Sequence, residues 1–159
     1  MLDKWKNREG KLLNNIIEKF DIKVTFVDLP DLKSWESSVQ ENTKLFLLET
    51  PSNPLGEVVD IKKLAAISKM NNIILAVDNC IMSPAIQKPL SLGADLVIHS
   101  ATKYIDATGR CLAGAVAGNG SIIDDISLFS RSTGPTNRTT LLELVADFPG
   151  IPEGFDLHG

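Results

Sequence analysis

The stretch that most limits the fold of this chain is "IILAVD", Ile73–Asp78, together with its near relation "DLVIHS", Asp95–Ser100. Successive side chains of a strand point to opposite faces, so a run apolar at nearly every position must be covered on both sides. That is the signature of a parallel sheet, and parallel strands need helical crossovers between them. The rest of the sequence supplies such an alternation. "IKVTFVD" (Ile22–Asp28) and "KLFLLE" (Lys44–Glu49) read as strands, and "LAGAVAG" (Leu112–Gly118) as a further one. Between them lie helical patterns. Leu12, Leu13, Ile16, Ile17 and Phe20 share one face of "LLNNIIEKF"; Asp31 caps "DLKSWESSVQ"; Asp60 caps "IKKLAAISKM", with Ile61, Leu64 and Ala65 on one side; "SIIDDISLF" follows the last strand. The expected fold is α/β: a mostly parallel sheet with helices on both faces.

A chain of 159 residues, 43% apolar and 23% charged, with a net charge of −4, is a soluble globular protein with room for one core. This balance excludes the basic stripe of a nucleic-acid binder. No apolar run approaches the roughly 20 residues of a membrane span, and "MLDKWKNREG" lacks the apolar centre of a secretion signal. The expected setting is cytoplasmic, with Cys80 and Cys111 as thiols rather than a disulfide. Two cysteines so far apart do not make a zinc site, and no metal is expected.

In open parallel sheets, ligands bind at the carboxyl ends of the strands. After the second strand comes "ETPSNP", after the third "DNC", after the fourth "SATK", and these are the polar clusters of the central chain. Taken singly each has an ordinary reading. Asp78 can cap or pair, Lys103 can be a solvated lysine, and Ser100 and Thr102 are common turn residues. Taken together they offer an amine, a carboxylate and hydroxyls. That is the set pyridoxal 5'-phosphate requires: an amine for its aldehyde, a carboxylate for its ring nitrogen, and donors for its phosphate.

"ETPSNP", "AVDNC" and "GADLVIHSATKY", in this order and spacing, resemble the pyridoxal-phosphate-dependent enzymes of cysteine and methionine metabolism. The likeness runs from about Ile22 to Pro135, with 25 residues from Asp78 to Lys103 and 50 from Asn53 to Lys103. It implies the large domain of an aspartate-aminotransferase-like fold and a homo-oligomer. It implies Lys103 as the catalytic residue that binds the cofactor aldehyde, Asp78 at the ring nitrogen, Ser100 and Thr102 at the phosphate, and Asn53 near both cofactor and substrate carboxylate. "YIDATGRC" and "RSTGPT" resemble the O-succinylhomoserine sulfhydrylase branch. That branch replaces succinate on an activated homoserine by sulfide, giving homocysteine. The implied partners are therefore an amino-acid substrate, a homoserine ester or a cystathionine-like compound, with sulfide or a thiol, and neither nucleic acid nor membrane. Cystathionine γ-synthase, cystathionine lyase and methionine γ-lyase activities remain alternatives.

The family also carries parts that have no match here: a glycine-rich phosphate loop, a ring-stacking tyrosine, a tyrosine–arginine pair and a carboxylate-binding arginine. The sole tyrosine is Tyr104, beside the lysine. After Thr136 the sequence "NRTTLLELVADFPGIPEGFDLHG" departs from the family pattern, so Arg138 receives no role. The expected organisation is a partial cofactor-binding domain over 1–136 and a non-matching tail over 137–159. A truncation, a split gene or a frameshift fits this pattern, and a non-catalytic remnant or scaffold is the alternative of another class. A dinucleotide-binding dehydrogenase fits less well, since no G-x-G-x-x-G turn follows a strand.

Overall fold

The computed structural model describes residues 17–105 and 112–133. Most of the helix expected from Leu12, the stretch from Asp106 to Cys111, and the boundary and tail after Thr136 lie outside the described residues.

After a short turn, Ile17–Phe20, the elements alternate as helix α1 (Leu32–Ser37), strand β1 (Leu45–Glu49), helix α2 (Ile61–Met70), strand β2 (Ile74–Asp78), the single helical turn α3 (Ser83–Ile86), strand β3 (Leu96–Ser100), strand β4 (Gly114–Gly118) and helix α4 (Gly120–Thr133). Both expected caps form. Asp31 accepts the Lys33 N–H at 3.0 Å and Asp60 accepts the Lys63 N–H at 3.1 Å, satisfying donors that a helix start leaves open.

The four strands lie in the order β1-β2-β3-β4. β1, β2 and β3 are parallel, with Glu49 beside Asp78 and Asp78 beside Ile98. β4 returns antiparallel along β3, pairing Gly114 with Ser100 and Gly118 with Leu96. Glycine is needed at the far end of that pairing: a Cβ on Gly118 would sit 2.5 Å from the Asp95 carbonyl oxygen and 2.6 Å from Leu96 Cδ2.

The expected strand Ile22–Asp28 does not form. Its β-branched and aromatic residues suit a pleated surface, but that preference is expressed only against a hydrogen-bonded neighbour. No strand among the described residues lies beside it.

The core sits on one face of the sheet. Phe46, Leu48, Leu75 and Val77 pack there against Trp35 of α1 and Ile61, Leu64 and Ala65 of α2. Leu64, Leu75 and Val77 are fully buried. The Trp35 and Phe46 rings meet edge-on at 5.1 Å, and the indole N–H donates to the Leu29 carbonyl at 3.1 Å. On the opposite face Leu45 and Leu47 of β1 stay 50% and 39% exposed, and Val116 of β4 is exposed as well. No helix among the described residues is long and apolar enough to cross a membrane.

Candidate active site

Because β1, β2 and β3 run the same way, their carboxyl ends share one edge. All five residues singled out from the sequence lie there. Asn53 is in the loop after β1, Asp78 ends β2, Ser100 ends β3, and Thr102 and Lys103 occupy the turn that follows. Register adds a second constraint. Asp78 is level with Glu49 and Ile98, and Ser100 lies two residues beyond Ile98. With a side-chain period of two, Asp78 and Ser100 share the open face, opposite Leu75 and Val77.

Cys80 joins these groups. Its N–H donates to Asp78 Oδ1 at 2.9 Å, and its Sγ accepts the Ser100 N–H at 2.8 Å. Burial pushes the Cys80 thiol up to about 11, and the neighbouring Asp78 carboxylate pushes the same way. The Ser100 N–H and the Lys103 ammonium oppose this, so the lysine charge is felt at the thiol. The thiol thus stays protonated at neutral pH and is a packing and hydrogen-bonding group, not a nucleophile. His99 is buried on the covered face. Burial lowers its pKa, against the pull of Asp78 and of a backbone hydrogen bond at Asn79, so the ring is held neutral.

Lys103 lies in a wide helical turn, Ala101–Ile105, and its own backbone leaves helical geometry at φ −84°, ψ −108°. Its side chain is exposed. The turn is fastened through Thr102. The Thr102 N–H donates to the Ala113 carbonyl at 3.3 Å, the Ala113 N–H donates to Thr102 Oγ1 at 2.9 Å, and Oγ1 lies 3.4 Å from the Ala113 carbonyl. The hydroxyl keeps one lone pair, and its long bond to Ala113 is easily exchanged for a stronger acceptor. The Asn53 side chain is exposed, while its N–H donates to Glu49 Oε2 at 3.1 Å. The Ser52 and Gly56 amides close the same loop onto Glu57 and Ser52 carbonyls.

Sequence reasoning did not single out Cys80, Glu49, Asn79 or Gln87. Strand alternation could have flagged Cys80, two positions past Asp78 within the quoted "DNC"; nothing in the sequence connects Gln87 to the loop after β1.

The donor set suits one group. An exposed amine, a half-buried carboxylate with one oxygen engaged, and two hydroxyls at one sheet edge match the needs of a phosphorylated pyridine aldehyde. No cluster of metal-ligating side chains occurs among the described residues.

Comparison with known proteins agrees. Residues 8–141 match the family described as Cys/Met metabolism PLP-dependent enzyme. The chain is 51% identical over 125 residues to the O-succinylhomoserine sulfhydrylase of Pseudomonas aeruginosa, covering 79% of this chain and 31% of that protein. It is 43% identical over 125 residues to the cystathionine beta-lyase MetC of Staphylococcus haemolyticus, covering 78% and 32%. Among solved structures, a cystathionine gamma-lyase from Lactobacillus plantarum, complexed with L-serine, superposes with a TM-score of 0.71 at 32% identity, covering 74% of this chain and 31% of that one. This chain belongs to the pyridoxal-phosphate-dependent enzymes of cysteine and methionine metabolism. It spans about a third of the length of the relatives it matches.

Proposed function

We propose that this chain carries the cofactor-holding part of an enzyme that replaces the γ-substituent of an activated homoserine by sulfide. The observation behind it is the gathering of Lys103, Asp78, Ser100 and Thr102 at one sheet edge. Lys103 would hold the aldehyde carbon of pyridoxal phosphate, Asp78 its ring nitrogen, and Ser100 and Thr102 its phosphate. Asn53 would lie near both the cofactor and the substrate carboxylate. When bound, the cofactor supplies an electron sink for the pair left by a broken Cα–H bond.

The chain's own groups do the rest. The Asp78 carboxylate keeps its charge aimed at the open face because the Cys80 N–H fixes one of its oxygens. The Lys103 amine would take up and return a proton at Nζ. The covered face excludes water from the underside of the strand ends. Homocysteine formation from O-succinylhomoserine and sulfide is favoured over lyase chemistry by the higher identity to the sulfhydrylase, 51% against 43%. We place the protein in the cytoplasm and propose that it self-associates through the open sheet face, which light scattering would read.

Borohydride reduction of the chain mixed with pyridoxal phosphate, followed by peptide mapping, tests the assignment. The label is expected on Lys103 and is expected to vanish in Lys103→Ala. Equal labelling of all lysines would refute it.

A further inference from the structure

One polar network at the sheet edge is left over by the site described above. Asn79, almost wholly buried, directs its side-chain N–H groups to the Ser83 carbonyl at 3.1 Å and the Gln87 carbonyl at 2.8 Å. Gln87 Nε2 donates in turn to Asn79 Oδ1 at 2.9 Å and to the Thr50 carbonyl at 2.8 Å. The Asn79 N–H donates to the Ile98 carbonyl at 2.8 Å, continuing the β2–β3 ladder. Both donors of each amide are therefore engaged.

We propose that Gln87 and Asn79 are positioning residues. Their amide pair fixes the loop that carries Asn53 against the strand end that carries Asp78. Asn79 directly follows Asp78, and Thr50 begins the loop that holds Asn53 three residues on. The Gln87–Thr50 bond spans 37 residues of sequence and ties the first of these segments to the second. Asn79 is buried and Gln87 half-buried, and with every side-chain N–H engaged a displacement leaves a desolvated donor or acceptor unmet. The loop has further anchors, since Val59 N–H donates to Thr50 Oγ1 at 3.2 Å and Glu57 N–H to Ser52 Oγ at 3.1 Å. These lie within the loop's own chain and do not reach β2. The β1–β2 ladder sets Glu49 beside Asp78, and beyond that ladder the amide pair is the side-chain link, among the bonds described, that joins the two segments past the strand ends. That this link also governs cofactor affinity rests on the function proposed above; the link itself does not.

The test uses the full 159-residue chain and Gln87→Met, which keeps the side chain's length and removes both donors. Gln87→Asn, shorter by one methylene, serves should Gln87→Met fail to fold. Leu64→Ala, on the covered face away from the edge, is the control for stability loss alone. Hydrogen exchange is read at the Ser52 and Gly56 amides, and affinity for pyridoxal phosphate by its absorption. The Gln87 variants are expected to lose protection at Ser52 and Gly56 and to weaken cofactor affinity by about tenfold, the equivalent of one unmet buried hydrogen bond. Leu64→Ala is expected to lower the melting temperature at least as much while leaving both readouts in place. Unchanged loop protection in both Gln87 variants would overturn the proposal, as would equal loss in Leu64→Ala. Should the parent chain take up no pyridoxal phosphate while the Gln87 variants still lose loop protection, the positioning role stands and the proposed function falls.

Discussion

The two faces of this sheet are built from the same strands yet follow different rules. On the covered face, Phe46, Leu48, Leu75 and Val77 are locked under α1 and α2. On the open face, their immediate neighbours Leu45 and Leu47 stay half in water, and the strand ends carry Asp78 and Ser100. Packing is therefore concentrated on one side and the candidate site on the other. The division is expected where a pocket must leave polar groups reachable, because a face closed by packing cannot admit a ligand. It also explains why a chain that matches about a third of each relative still holds a closed core.

The sharpest way to break this comparison is to cut the same volume from each face. Leu75→Ala, at a position with no solvent exposure, is expected to lose roughly 2–5 kcal/mol in urea unfolding. Leu47→Ala, one strand over on the open face, is expected to stay within about 0.5 kcal/mol of the parent. Equal losses would mean that the open face is packed in solution.

The second contrast is electrostatic. His99 on the covered face has its pKa lowered by burial. A depressed basic group favours the unfolded chain's protonation, so its stabilising share is complete above the ordinary histidine value of 6.5 and is lost as pH falls through the folded value. Cys80 behaves oppositely. Its thiol is raised from 9.0 to about 11, so that share is complete below 9 and is lost as pH rises toward 11. Thermal melts should therefore fall off at both ends, and His99→Gln should flatten the acid limb alone. In a Cys111→Ser background, Cys80 should react with iodoacetamide far more slowly at pH 8 in the folded chain than in urea.

The sequence made the covered face more legible than the open one. Apolar runs announced β1, β2 and β3, and Asp31 and Asp60 announced the helix starts, because burial and capping act within a few residues. Ile22–Asp28 misled for the reason that strand propensity records a suitable surface, not a partner. The antiparallel return of β4 was not legible, since "GAVAG" pairs through small residues and the close approach at Gly118, not through an apolar pattern. At the site, the strand-end rule placed all five residues on one edge. It could not show that Cys80 Sγ meets the Ser100 N–H, or that Ala113 fastens the Thr102 hydroxyl, because those contacts join residues 11 or more apart.

The third test separates local from tertiary support of the covered face. Asp60→Ala removes the acceptor for the Lys63 N–H and should cost about 1 kcal/mol. The ion pair between Lys63 Nζ and Asp60, at 3.3 Å, is exposed at both ends and contributes little beside the cap. Asp60→Asn keeps an acceptor and should recover most of the loss, which distinguishes capping from charge. Full loss in both variants would assign the effect to the ion pair instead.

The smallest expected effect concerns the open face itself. Replacing both Leu45 and Leu47 by threonine keeps strand propensity and removes apolar surface that the fold leaves about half in water. On the covered face such a pair of changes would abolish folding; here the unfolding free energy should shift by less than about 1 kcal/mol, since most exposed substitutions fall within roughly 0.5 kcal/mol each. The two leucines lie at the amino end and middle of β1, away from Asp78 and Lys103 at the carboxyl edge. Labelling of Lys103 by pyridoxal phosphate and borohydride should therefore persist. Association should not: if the open face draws copies together, light scattering should report a smaller mass for the double variant than for the parent at equal concentration. A variant that unfolds would show that these leucines are core residues after all. One that stays folded and fully associated would place the contact between copies somewhere other than this face.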